Sequence, residues 1–170
     1  KGPVRLLHVT DPHLFGEESR TIYGVTTAVS LRKVLAEALA PGTPRPAAIL
    51  VTGDIADDHS AAAYDNFRRA LRPYELPVFC LPGNHDEPGL MADLMTGPSG
   101  GDGFQYGGTV EFGAWGAVFI DTHVRGRPEG RVLEIVERPP HPIIGRLLHE
   151  SGIWIVAPED KRYGQDVMIP

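Results

Sequence analysis

Three short runs, VRLLHVT (4–10), AAILVT (47–52) and LPVFCL (76–81), are apolar at nearly every position instead of alternating, the pattern of strands covered on both faces. They predict parallel strands. Between the first two, Val29, Leu31, Val34, Leu35 and Leu39 recur at helical spacing before the Pro41-Gly42 stop, which predicts an amphipathic crossover helix. Between the second and third, SAAAYDNFRRALRPY (60–74) offers Ser60 as an N-cap and Ala63, Phe67, Ala70 and Leu71 as its sheet-facing side. The order is therefore βαβαβ, an α/β fold with right-handed crossovers whose ligands gather beyond the carboxyl ends of the strands.

Past Pro88, GLMADLM reads as a short helix, TGPSGGDG (96–103) as a glycine-rich loop, and FQY, TVEFGAW and GAVFIDT as hairpin-like runs. After Gly130 the pattern weakens: RVLEIVERPPHP fits a strand or a broken helix, and IIGRLLHESGIWIVAPED offers a helical turn and one more apolar run. Neither an internal repeat nor a linker is evident, so 1–170 is expected to form a single domain.

Composition narrows the function classes. Hydrophobic residues make up 42% and charged residues 22%, and no apolar stretch is long enough to span a bilayer, so membrane insertion is not expected. The opening KGPVRLLHVT lacks the h-region of a signal peptide and does not begin with Met, as expected of a trimmed or excerpted N-terminus. A net charge of −6 disfavours nucleic acid as a partner, because phosphate binding needs a cationic face. The single cysteine, Cys80 in an apolar run, reads as a small buried hydrophobe in a reducing compartment, which favours the cytoplasm.

At each predicted strand end a polar, metal-competent block appears: Asp11-Pro12-His13, Gly53-Asp54-Ile55-Ala56-Asp57, and Gly83-Asn84-His85-Asp86. Any one alone could be ordinary strand punctuation. Adjacent parallel strands lie about 4.8 Å apart, so the three loops fall within reach of one common site. Two divalent ions held together need a bridging carboxylate, a role that suits Asp54. Asp11 and His13 would hold one ion, and the side-chain oxygen of Asn84 would help hold the other. Mixed nitrogen and oxygen ligands point to Mn, Fe or Zn over Ca. Such a pair generates hydroxide near neutral pH and clamps phosphoryl oxygens, which is the chemistry of phosphoester hydrolysis.

These blocks resemble the calcineurin-like metallophosphoesterase superfamily, whose pattern runs D-x-H, G-D-x-x-D, G-N-H-D/E, a later histidine, then G-H-x-H. Within it, TDPHLFGEESRTIYGVTTAVSLRKVL, VTGDIADDHSAAAYDNF, LPGNHDE, FQYGGTVEFGAWGAVFIDT and RGRPEGRV are most similar to the bacterial class III cyclic-nucleotide phosphodiesterases that act on 3′,5′-cyclic AMP. The likeness covers roughly residues 4 to 131. It implies a four-layer α/β/β/α sandwich, two divalent ions, and a small cyclic nucleotide or phosphodiester as substrate. It implies that Asp11, His13, Asp54 and Asn84 are metal ligands. It further implies that His85 touches the scissile phosphate beside Asn84 and protonates the leaving oxygen, and that Asp57 and Asp86 are carboxylates standing behind the ligands.

The C-terminal part departs from that pattern. RPPHPIIGRLLHESGI places Arg138 and Pro139 where paired histidines belong, leaving His141 as the near substitute, and no G-H-x-H occurs. Residues 131–170 are thus expected to be atypical or truncated, with an incomplete second sheet whose apolar face a homo-oligomer would cover. A rival reading is a truncated, non-catalytic binding or oligomerising relative. Another is a phosphodiesterase or phosphatase of the same superfamily with a different substrate.

Other residues carry plainer expectations. His8 reads as a packed core or edge histidine within its strand, His59 as a helix-start residue that could line a cleft, and His149 as a solvent-facing helix residue. For His123 and Arg125, which follow Asp121 at another strand end, a substrate-facing role stays open. Trp115 and Trp154 read as core or sheet-surface aromatics, while Phe15 and Tyr23 could stack on a nucleobase.

Overall fold

A computed structural model describes residues 3–96, 103–112 and 115–127, together with the backbone of 153–156. The continuously apolar runs form β1 (Leu6–Val9), β4 (Ala48–Thr52) and β5 (Val78–Leu81). Between them run the crossover helices α1 (Thr27–Ala38) and α2 (Ala61–Leu71), the latter closed by a 3-10 turn at Arg72–Tyr74. A small antiparallel ribbon, β2 (Thr21–Ile22) and β3 (Val25–Thr26), precedes α1.

The principal sheet has four strands in the order β1-β4-β5-β6, all parallel. Its fourth strand corrects the sequence expectation: FQY is not part of a hairpin but β6 (Phe104–Tyr106), with Val78 opposite Phe104 and Cys80 opposite Tyr106. The cause is α3 (Pro88–Thr96), which serves as a third crossover and returns the chain parallel to β5. β7 (Gly108–Phe112) and β8 (Trp115–Phe119) do form the expected hairpin, and β9 (Ile153–Val156) pairs antiparallel with β8. The last apolar run of the sequence is thus a strand of the second sheet. The remainder of 128–170, with most of the glycine-rich loop, lies outside the described residues, as do Arg138, Pro139, His141 and His149.

Period-two alternation along β4 and β5 builds two cores. Ile49, Val51, Val78 and Cys80 face α1, α2 and α3, whereas Ala48, Leu50, Phe79 and Leu81 face Ala117 and Phe119 of the second sheet. The described residues therefore form helix, sheet and sheet layers of the expected α/β sandwich, and β4 and β5 are buried at nearly every position. As an edge strand, β1 is only half-buried. Its His8 is exposed and hydrogen-bonded to the Thr52 hydroxyl (2.6 Å), as an edge histidine should be.

On α1 the buried stripe is Ala28, Leu31 and Leu35, while Val29 and Val34 are exposed. Each step turns a side chain by roughly 100°, which carries both valines to the flanks of the stripe. For α2 the Ser60 hydroxyl accepts from Ala63 N–H (3.1 Å), confirming the N-cap. Fully buried Phe67 meets Phe104 edge-on, with ring centroids 6.1 Å apart. Among the described residues no helix is long and apolar enough to cross a membrane.

Because Phe67 plugs the helix-side core at full burial, Phe67→Ala should destabilise the fold by about 3–5 kcal/mol, read as a lowered midpoint with an unchanged m-value in urea unfolding.

Candidate functional site

The strand-end blocks meet because pairing continues past the strands. Asp11 N–H donates to the Gly53 carbonyl (3.1 Å), His13 N–H to Asp54 (2.9 Å), Leu14 N–H to Ile55 (2.8 Å), and Asp57 N–H back to Leu14 (2.8 Å). Pro12, which has no N–H, occupies the one position between Asp11 and Leu14 that this zipper skips. Asp11, His13 and Asp54 all adopt left-handed backbone, with φ of 53°, 43° and 49°. Such conformations cost energy in non-glycine residues and concentrate at functional sites.

The glycines beside them allow a backbone-to-backbone approach. A Cβ on Gly53, where φ is 103°, would lie 2.7 Å from the Gly83 backbone, and one on Gly83 would lie 2.1 Å from an Asp54 carboxylate oxygen. That closeness lets Asp54 Oδ1 accept the His85 N–H (3.0 Å), joining the second block to the third.

The side chains form two overlapping clusters, Asp11-His13-Asp54 and His13-Asp57-His85, each with ligand atoms within 4.8 Å of one another. Asp57 can only accept, so His13 Nδ1–H donates to it (3.0 Å). The Nε2 lone pair then faces Asp11 (3.9 Å) and Asp54 (3.7 Å). Those two separations exceed hydrogen-bond length. With Asp57 on Nδ1 and Asp11 and Asp54 before Nε2, three carboxylates surround one imidazole ring and leave concentrated negative charge that a divalent cation would offset, so the donor set fits a metal. His85, with its ring edge-on to His13 at 5.0 Å and Nδ1 3.5 Å from Asp57, stands at the solvent side of the cluster. Asn84, next to it in the chain, is exposed.

Asp86 lies elsewhere. Its buried carboxylate accepts from Ile55 N–H, Ala56 N–H, Gly83 N–H and the Tyr64 hydroxyl, at 2.8 to 3.2 Å. Tyr64 also accepts the Glu87 N–H (2.9 Å), and burial beside Asp86 pushes its phenol pKa upward, keeping the hydroxyl protonated as a donor. The sequence reading missed Tyr64, although Tyr64, Phe67 and Leu71 share one helical stripe and a buried tyrosine requires a polar partner. It also missed Asn66, whose amide donates to the Phe15 and Gly16 carbonyls (2.8 and 3.1 Å).

Phe15 corrects the suggested stacking role. It is buried, with the Arg20 guanidinium 4.0 Å over its ring, so that face is already covered. Tyr23 sits fully exposed at the tip of the β2-β3 ribbon, and Trp115 lies on the sheet surface. Trp154 falls within β9, with its side chain outside the described residues. Burial pushes the Cys80 thiol pKa up, in keeping with a small inert hydrophobe.

Comparison with known proteins agrees with this architecture. Residues 4–144 match the calcineurin-like phosphoesterase family model, and the chain belongs to that family, as the motif resemblance implied. It is 35% identical to the 3′,5′-cyclic adenosine monophosphate phosphodiesterase CpdA of Haemophilus influenzae over 133 residues, 78% of this chain and 47% of the relative. Identity to the protein of that name from Escherichia coli K12 is also 35%, covering 77% of this chain and 46% of the relative. A 3′,5′-cyclic-nucleotide phosphodiesterase of Nostoc is 34% identical over 86 residues, 51% of this chain and 32% of the relative. The chain thus spans less than half the length of these relatives.

Asp86→Ala should lower stability by more than about 3 kcal/mol, because buried N–H donors lose their acceptor; thermal unfolding in EDTA measures this apart from any metal effect. Asp58 sets an acid limit. Burial raises its pKa, but donors from Gly16 and Ser60 and the charge of Arg20 outweigh that and hold it below 3.8. A depressed folded pKa stabilises above the unfolded value and is lost as pH falls, so stability should decline from about pH 4 downward. In Asp58→Asn that part of the pH dependence should flatten in unfolding midpoints.

Proposed function

We propose that the chain acts as a metal-dependent phosphodiesterase on 3′,5′-cyclic nucleotides, with cyclic AMP as the leading substrate. The observation that carries this is the convergence of Asp11, His13, Asp54, Asp57 and His85 at the carboxyl ends of β1, β4 and β5. The names of the relatives supply the substrate class. Asp11, His13 and Asp54 would hold one divalent ion, and Asp54 and Asn84 would help hold a second. His141, outside the described residues, is a further proposed ligand. Mn, Fe or Zn bound there would lower the pKa of water into the neutral range and neutralise phosphoryl oxygens.

The protein's own contribution is placement. His85 is anchored through its backbone to Asp54 and leans toward Asp57, which leaves its exposed edge to hydrogen-bond the scissile phosphate with Asn84 and to protonate the leaving oxygen. Asp57 keeps His13 in the tautomer whose Nε2 is free for a metal. Asp86 and Tyr64 hold the loops at fixed separation. We also propose a cytoplasmic setting, supported by the buried, unpaired Cys80.

Metal analysis of the purified chain should find bound divalent ions, and Mn should stimulate hydrolysis of cyclic AMP and bis(p-nitrophenyl) phosphate. His85→Ala should lower kcat by about 10²–10⁴-fold with metal retained. Asp54→Asn should lose both metal and activity. Neither metal nor turnover in the wild type would overturn the proposal, metal without turnover would identify a binding module, and turnover of the synthetic diester alone would move the substrate elsewhere in the family.

A further inference from the structure

A cavity of about 470 Å³ opens beside the candidate centre, within the roughly 300–1,000 Å³ range of small-ligand sites. Its wall brings together His59 from the loop before α2, Asn84 and Glu87 from the loop after β5, and His123 and Arg125 from the loop after β8. Resting on the cyclic-nucleotide reading above, we infer that this cavity seats the nucleobase, with Arg125, Glu87 and the imidazoles of His59 and His123 as the residues that recognise it.

The polarity of the wall favours a base over a second anion. Arg125 Nη2 lies 3.4 Å from Glu87 Oε2, so a cationic donor and an anionic acceptor are presented side by side. A phosphate would meet repulsion from Glu87. By contrast, a base edge that sets a ring-nitrogen acceptor next to an exocyclic amine donor matches the pair. The guanidinium and the imidazoles also offer flat faces against which a heterocycle can stack.

His59 and His123 sit on anchored loops. The carboxylate of Asp58 accepts from Ser60 N–H (3.2 Å) and the Ser60 hydroxyl (2.7 Å), bracketing His59, which stands exposed at a left-handed φ of 55°. His123 N–H donates to Asp121 (2.8 Å), whose other oxygen accepts the Tyr106 hydroxyl, tying this loop to β6. Asn84 adjoins His85 in the chain, so the reacting phosphate and the base would lie on either side of one short loop. Holding both ends of the substrate restricts its orientation, which is how remote contacts assist catalysis.

The test compares binding of adenosine 5′-monophosphate and ribose 5-phosphate, which share the sugar and phosphate and differ by the base, to the full chain with Mn and again in EDTA. The adenine nucleotide should bind at least about tenfold tighter. In Arg125→Ala, Glu87→Gln and His123→Ala that ratio should fall by about three- to tenfold each, with the ribose 5-phosphate Kd unchanged. Arg125 is 87% exposed, so its replacement does not disturb the core. Equal affinity for the two probes, or variants that leave the ratio intact, would overturn the base site while leaving the phosphodiesterase proposal standing. A wild-type chain that binds neither probe would overturn both.

Discussion

Two loops pressed together backbone to backbone govern this molecule. Gly53 and Gly83 approach so closely that no side chain fits between them, and the Asp86 carboxylate clamps the contact by accepting N–H groups from both loops. Without that clamp, buried amides at the ends of β4 and β5 would have no acceptor, a cost that a loop cannot recover from water once it is covered. The approach also places Asp54 against the His85 amide and therefore sets the distance between the second and third blocks. Tyr64 extends the same constraint into α2, so the helix layer, the sheet and the polar cluster are mechanically one unit.

Burial on both faces of β4 and β5 explains why the polar cluster can sit only at one edge. Their side chains alternate between the helix-side core and the core shared with β7 and β8, leaving only Thr52, at the carboxyl end of β4, partly exposed. Polar chemistry is displaced to the carboxyl ends, where the strands stop and loops carry ligands over the sheet. Strained backbone at Asp11, His13 and Asp54 is tolerated there because hydrogen bonds between the two loops over-determine it.

Electrostatics then divides the site. Inside, the carboxylates of Asp11, Asp54 and Asp57 crowd around two imidazoles, an arrangement suited to cations and, through them, to a phosphoryl group. Outside, the cavity mixes acid and base, with Glu87 and Arg125 paired at its wall. Asn84, which lines that cavity, adjoins His85 of the inner cluster in the chain, so the two regions meet at one short loop.

The sequence by itself determined β1, β4 and β5, the crossover helices between them and the three chemical blocks, because these rest on local signals: continuous apolar runs, helical spacing, and polar residues where a run stops. It also located Ser60 as a cap, and left His8 as a core or edge histidine, which the pairing of β1 on one side only resolves as an edge residue. Only the tertiary structure decided the pairing of FQY, since three residues have no readable period and their partner is set by where α3 returns the chain. Likewise it decided that Phe15 is packed under Arg20, that Tyr64 rather than another tyrosine carries the loop clamp, and that Asp86 serves backbone amides while Asp57 serves histidines. Those distinctions depend on which groups lie within about 3 Å across distant stretches of chain, and chemically identical aspartates acquire different work only when the fold selects their neighbours.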